Sequence, residues 1–226
     1  MKAQNCSFKT TVEKPVSLNY LLYLPRSYAQ EADKEWPFIL FLHGMGERGN
    51  DLELVKNNGI PKTIEEKEDF PFVVVAPQCP LDSLWVLELD SLYALVQEIL
   101  HSYSVDRSRV YLSGLSMGGF GAWHLAEAHP ELFAVVVPIC GGANPDIGFP
   151  ERIKILRDTP IWAFHGAKDD VVPLEESQKL VEVLKAHNGK IRFTVYPDLE
   201  HDSWTRTYDN PKLYEWMLEQ RNDRFT

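Results

Sequence analysis

The segment Arg109-Val110-Tyr111-Leu112-Ser113-Gly114-Leu115-Ser116-Met117-Gly118-Gly119-Phe120-Gly121 constrains the fold more than any other stretch of the chain. A β-branched and aromatic run breaks at Gly-x-Ser-x-Gly and gives way to helix-forming sequence. For a strand and a helix to meet across so short a turn, the residues two before and two after the serine must be glycine-sized. Gly114 and Gly118 meet that demand. The turn sets Ser116 at the positive end of the next helix, where free backbone N–H groups can receive a developing negative charge. Val110 to Ser113 reads as a buried strand, and Phe120, Trp123, His124 and Ala128 recur at helical spacing until His129-Pro130 stops the pattern. The segment predicts strand, sharp elbow with a serine nucleophile, and helix.

The rest of the chain repeats this strand and helix alternation. Tyr20 to Leu24 reads as a half-exposed strand and Pro37 to Leu42 as one covered on both faces. Phe72 to Ala76, Ala134 to Ile139, Ile161 to His165 and Ile191 to Tyr196 resemble the second type. Helical patterns lie at Asp51 to Asn57, Leu89 to Tyr103, Met117 to Ala128, Leu174 to His187 and near Pro211 to Gln220. Alternation of this kind specifies a doubly wound, mostly parallel sheet with helices on both faces and its functional loops at the carboxyl ends of the strands. A chain of 226 residues with 44% hydrophobic residues is expected to form one domain over residues 1–226.

Charge and cysteine content narrow the function classes. A formal net charge of −10 with no basic cluster disfavours nucleic acid and anionic membrane surfaces, both polyanions. The N-terminus lacks the apolar run of a signal peptide, and no segment approaches a membrane span. The cytoplasm is the expected location, with export still open for a chain whose leader has been removed. Cys6, Cys79 and Cys140 are an odd number without a Cys-x-x-Cys spacing, so neither a disulfide framework nor a zinc site is expected. Cys79 and Cys140 read as buried thiols. His124-x-x-Glu127 lacks the His-Glu-x-x-His spacing, so no metal or other cofactor is expected.

A serine hydroxyl needs a histidine to take its proton and a carboxylate to hold that histidine in the right tautomer. Downstream, Phe164 to Pro173 contains a turn with Asp169 and Asp170, either of which could be the acid. After the last apolar strand, Tyr196 to Trp204 carries His201, the expected general base. His43 and His165 end strands before glycine and read as turn braces, whereas His101, His124, His129 and His187 lie on or beside helices. An oxyanion site needs two backbone donors. Met117 supplies one, and Met45, flanked by glycines after the Pro37 to Leu42 strand, supplies the other. The same loop, Gly44-Met45-Gly46-Glu47-Arg48-Gly49, also spells the Gly-x-Gly-x-x-Gly of a dinucleotide-binding turn. Two strands before the turn and a complete serine, acid and histidine set weigh against that rival.

With these residues in place, the chain resembles the small, cap-less α/β-hydrolase carboxylesterases, which include phospholipase/carboxylesterases, acyl-protein thioesterases and hydroxyalkanoate-depolymerase-like esterases. His43-Gly44-Met45-Gly46 looks like the group's oxyanion loop, Gly114 to Gly118 its elbow, His165 to Asp169 its acid turn and His201 to Trp204 its base loop. The resemblance implies an α/β-hydrolase fold of about eight strands with no cap domain, since only about twenty residues, Gly141 to Thr159, separate two strands where larger hydrolases insert one. The group's spacing selects Asp169 as the acid. Pro77-Gln78-Cys79-Pro80 leading to Trp85 resembles a loop that lines the acyl pocket, making Trp85 a candidate substrate contact; Trp204, beside the base, is a second. The implied activity is hydrolysis of short- to medium-chain or aromatic carboxylic esters through an acyl-enzyme, with no cofactor and a small-molecule ester as substrate, the oligomeric state being left open. Thioesterase, feruloyl or polyester esterase and peptidase activity on the same triad are alternatives, and an inactive α/β-hydrolase binding module is the reading outside the enzyme class.

Overall fold

A computed structural model describes residues 3–11, 13–67, 69–143 and 148–225. In chain order the regular elements are β1 (Tyr20–Tyr23), β2 (Trp36–Leu42), α1 (Gly59–Glu65), β3 (Val73–Pro77), α2 (Leu89–Ser102), β4 (Val105–Leu115), α3 (Met117–Ala128), β5 (Val135–Ile139), α4 (Phe149–Arg152), β6 (Ile161–Gly166), α5 (Leu174–Ala186), β7 (Ile191–Tyr196), α6 (Trp204–Tyr208) and α7 (Pro211–Glu219). Short 3-10 turns precede several of them.

The strands form one sheet in the order β1-β3-β2-β4-β5-β6-β7. Among the described residues only the β1–β3 pair is antiparallel. The sheet has seven strands, one fewer than the approximate number expected. The described residues before β1 are almost all exposed and pair with no strand, so β1 closes that edge. Burial on both faces explains the continuous apolar runs: every residue of β2 is buried, and its side chains alternate between two cores. Phe38, Leu40 and Leu42 belong to one core with Leu92, Val96 and Ile99 of α2, Trp123 of α3 and Leu180 of α5. Ile39 and Phe41 face Ile60 of α1, Tyr208 of α6 and Leu213 and Met217 of α7 on the opposite side. Each such side chain contributes about 1.5–3 kcal/mol when fully buried.

The parallel order sends the carboxyl ends of β2, β4, β6 and β7 to one rim, and the loops that follow them meet there. Between β5 and β6 the described residues supply only α4 and a 3-10 turn over Ile153–Leu156. Both pack on α5 or α3. Residues 144–147 of the Gly141 to Thr159 stretch lie outside the described residues.

Candidate active site

Ser116 occupies the turn between β4 and α3 with φ 52° and ψ −119°, a conformation that a non-glycine residue holds only when its surroundings impose it. The surroundings are backbone. A Cβ on Gly114 would lie 2.2 Å from the Gly118 carbonyl oxygen, and one on Gly118 would lie 2.0 Å from that of Leu42. These two glycines let α3 run back against β4 and β2. The Ser116 N–H donates to the Ile139 carbonyl at 2.9 Å, tying the elbow to β5. Phe120 N–H is the first of α3 to return into the turn, to the Ser116 carbonyl at 3.1 Å. Met117, Gly118 and Gly119 are therefore the helix's free N–H groups, as helix geometry requires.

The acid turn and the base loop are held together by their backbones. A Cβ on Gly166 would sit 2.1 Å from the Glu200 carbonyl oxygen, and the N–H groups of Ala167 and Lys168 donate to the carbonyls of Tyr196 and Leu199. This contact brings residues 169 and 201 to one place. Asp169 has no solvent-exposed side-chain surface. Its Oδ1 accepts the N–H groups of Val171 (3.0 Å) and Val172 (2.8 Å), and its Oδ2 accepts His201 Nδ1–H at 2.8 Å. Because a carboxylate only accepts, Nδ1 carries the proton and Nε2 has a free lone pair. That lone pair lies 2.9 Å from Ser116 Oγ. Asp170 is exposed and takes no part. His165 Nε2 also approaches Asp169 Oδ2, at 3.2 Å, while donating to the Val172 carbonyl at 2.9 Å. It is fully buried, and burial lowers its pKa, so it braces the turn as a neutral ring.

His43 performs the corresponding bracing on the other side. Cys79 N–H donates to its Nε2 at 3.0 Å, so the ring proton sits on Nδ1, which donates to the Gly44 carbonyl at 2.6 Å. Burial first, and the nearby Arg48 charge next, push its pKa down to about 4. The Gly44–Met45 peptide is trans, and in a trans peptide C=O and N–H point in opposite directions. Anchoring the Gly44 carbonyl on His43 thus turns Met45 N–H to the other side of the peptide. Trp85 donates its indole N–H to the His43 carbonyl at 2.9 Å and stands edge-on to the imidazole.

A cavity of about 480 Å³ opens over Ser116, bordered by Gly44 to Glu47, Leu84 to Val86, Leu115 to Met117, Phe120, Val171, Val172, His201 and Trp204. The structure revises the expectation for Trp85. It borders the cavity but is 0% exposed, so it supports the loop under His43 and offers no surface to a substrate. Trp204 is half-buried, edge-on to His201 with ring centres 5.2 Å apart, and faces the cavity. Met45 is 54% exposed at the rim. Sequence reasoning missed Glu47 and Asn58, whose side chains join at 2.6 Å beside the cavity. Nothing in a glycine-rich loop marks one of its charged residues as inward-facing.

The dinucleotide-turn alternative does not find its geometry. The Gly-x-Gly-x-x-Gly loop leads into a 3-10 turn at Met45–Glu47, whereas a dinucleotide turn opens directly into a helix. Glu127 pairs with Arg152 at 2.9 Å, and His124 packs on Phe149. Cys140, Asp169 and His201 offer ligand atoms within 4.8 Å of one another, but burial pushes the Cys140 thiol far up and Asp169 already holds the imidazole.

Comparison with known proteins gives the family and the fold. A family model described as Phospholipase/Carboxylesterase matches residues 87–211, more than half of the chain. The chain belongs to this family. Over 206 residues this phospholipase/carboxylesterase relative is 29% identical to a bifunctional acetylxylan esterase/xylanase of Neocallimastix patriciarum, an alignment covering 86% of the chain and 27% of that protein. Lysophospholipase-like protein 1 of Mus musculus is 24% identical, with 87% of the chain and 92% of that protein covered. Among solved structures, a thermostable esterase superposes with a TM-score of 0.75 at 36% identity, over 90% of the chain and 59% of its own. The chain thus spans less than two thirds of several relatives it matches. Its seven-stranded sheet has the α/β-hydrolase fold.

Proposed function

We propose that this chain is a serine carboxylesterase working through an acyl-enzyme, with residues 1–226 acting as a single α/β-hydrolase domain. The observation that carries the reading is the continuous hydrogen-bonded chain from Ser116 Oγ through His201 to the buried Asp169, opening on an apolar-walled cavity. Ser116 Oγ attacks the ester carbonyl while His201 Nε2 takes its proton, and the N–H groups of Met45 and Met117 hold the oxyanion. His201 then gives the proton to the departing alcohol oxygen. Water, deprotonated by the same nitrogen, attacks the acyl-Ser116 carbonyl and releases the acid, returning the proton to Oγ. Asp169 keeps Nδ1 protonated throughout and stabilises the imidazolium.

The cavity size and its opening at Met45 and Val171, the latter 64% exposed, favour short- to medium-chain or aromatic acyl groups on small esters. Similarity to an acetylxylan esterase supports the short end of that range. Three free cysteines, one of them exposed, support a reducing compartment and so the cytoplasm.

A fluorophosphonate probe tests the chemistry: it labels wild type and leaves Ser116→Ala unlabelled, and failure to label wild type overturns the proposal in favour of a binding module. A panel of nitrophenyl esters from two to sixteen carbons, with thioester and feruloyl analogues, tests the substrate class. The expected optimum is at the short end; fastest turnover of the longest chains contradicts it, and a preferred thioester moves the assignment to thioesterase.

A further inference from the structure

The cavity contains a carboxylate that none of these steps uses. Glu47, at the end of the 3-10 turn carrying Met45, is 7% exposed and borders the cavity. Its Oε1 accepts Asn58 Nδ2–H at 2.6 Å. Among the described residues its Oε2 receives no hydrogen bond. His43 Nδ1 lies 3.9 Å away, with its proton already given to the Gly44 carbonyl. A Cβ on Gly44 would lie 3.0 Å from Leu115 Cδ1, 3.1 Å from Glu47 Oε2 and 3.8 Å from Ser116 Cβ, so the Glu47 carboxylate and the Ser116 side chain are both neighbours of Gly44. One oxygen of this carboxylate is thus paired with Asn58, and the other is left to a donor that enters the cavity. It also opposes an oxyanion forming nearby unless a donor covers it.

We propose that Glu47 Oε2 is a specificity site that accepts a hydrogen bond from a hydroxyl group on the alcohol half of the ester, so that the preferred substrates are esters of polyhydroxylated alcohols, sugars included. The inference rests on the esterase reading above. The alcohol half is chosen by the wall to which Glu47 belongs. Asn58 Oδ1 accepts the Trp204 indole N–H at 3.4 Å, and Trp204 stands edge-on to His201, the group that protonates the leaving oxygen. Phe120, Val86, Val171 and Val172, also on the cavity, give the acyl half an apolar lining. A hydroxyl is favoured over an ammonium because a neutral donor satisfies Oε2 without taking a second ion out of water.

The test compares kcat/KM, per active site titrated with fluorophosphonate, for two acetates of equal ring size: methyl mono-O-acetyl-β-xylopyranoside and cyclohexyl acetate. Wild type prefers the xyloside, and Glu47→Gln, which keeps the Asn58 contact but loses the charge, lowers that preference by about tenfold or more. Titration removes any misfolded fraction from the comparison. If both esters slow equally, Glu47 is only a support for the oxyanion loop and the inference falls. It falls equally if 4-aminocyclohexyl acetate outpaces the xyloside and loses that advantage in Glu47→Gln, which would make the ligand an ammonium. Wild type that is labelled and cleaves cyclohexyl acetate without preferring the xyloside overturns the inference alone; wild type that is neither labelled nor active on any ester overturns the esterase reading beneath it.

Discussion

His43 and His201 are both imidazoles on loops at the carboxyl ends of parallel strands, β2 and β7, on the same rim of the sheet. They have nonetheless become opposite devices. His43 is 1% exposed, with one ring nitrogen taken by Cys79 N–H and the other by the Gly44 carbonyl. Every valence is used, and burial keeps it neutral down to about pH 4. His201 keeps 18% of its side chain exposed and has only Nδ1 fixed, on Asp169, so Nε2 remains free for Ser116. Burial and partner count, not residue type or strand position, separate a fixed strut from the imidazole proposed to carry the proton.

Removing the proposed proton carrier has the largest expected effect. His201→Ala lowers kcat on a nitrophenyl acetate by about 10⁴- to 10⁶-fold while the thermal midpoint stays within a few degrees of wild type, and more than a hundredth of the original rate remaining would show that another group serves as base. Asp169→Asn comes next, with about a 10⁴-fold loss in kcat. The amide can offer Nδ2–H to the ring and stabilise the wrong tautomer, so an unchanged rate would mean that the His201 orientation does not depend on this carboxylate.

Breaking the strut costs less. His43→Gln frees the Gly44–Met45 peptide to rotate and lowers kcat by about 10- to 100-fold with KM little changed; a rise in KM with constant kcat would assign His43 to substrate binding instead. Its signature in stability is distinct. Because the pKa of His43 is depressed in the fold, the unfolded chain takes up a proton near pH 6.5 that the folded chain refuses until about pH 4. Stability is therefore complete above about 6.5 and falls as the pH drops towards 4, by up to about 3 kcal/mol. His165, also lowered by burial, adds in the same direction. Urea midpoints at pH 7 and pH 4.5 should separate more for wild type than for His43→Gln, since carboxylate titrations are common to both. Equal separations would remove His43 from the acid sensitivity.

Much of this was legible before any coordinates. The elbow residues Gly114, Ser116 and Gly118, the parallel alternation and the loops bearing Asp169 and His201 follow from local pattern, because strand burial and strand-to-helix turns have short-range signatures. The choice of Asp169 over Asp170 needed a family resemblance, as two adjacent carboxylates carry the same local signal. The short helices α1, α4 and α6 escaped notice because helices of seven, four and five residues are stabilised by what they pack on and have little periodicity of their own.

The sequence by itself determined which faces are apolar, where the sharp turns fall and which residue types reach the sheet's rim, since these depend on side-chain chemistry and on neighbours within a turn or two. Only the tertiary structure decided that Trp85 lies under the loop that follows β2, that His43 is a neutral strut, and that Glu47 borders the cavity with one oxygen unclaimed among the described residues. Those outcomes depend on contacts between residues 11 to 42 positions apart along the chain, where loop packing sets burial and hydrogen-bond partners. No local pattern encodes which of a group's valences a distant neighbour will occupy.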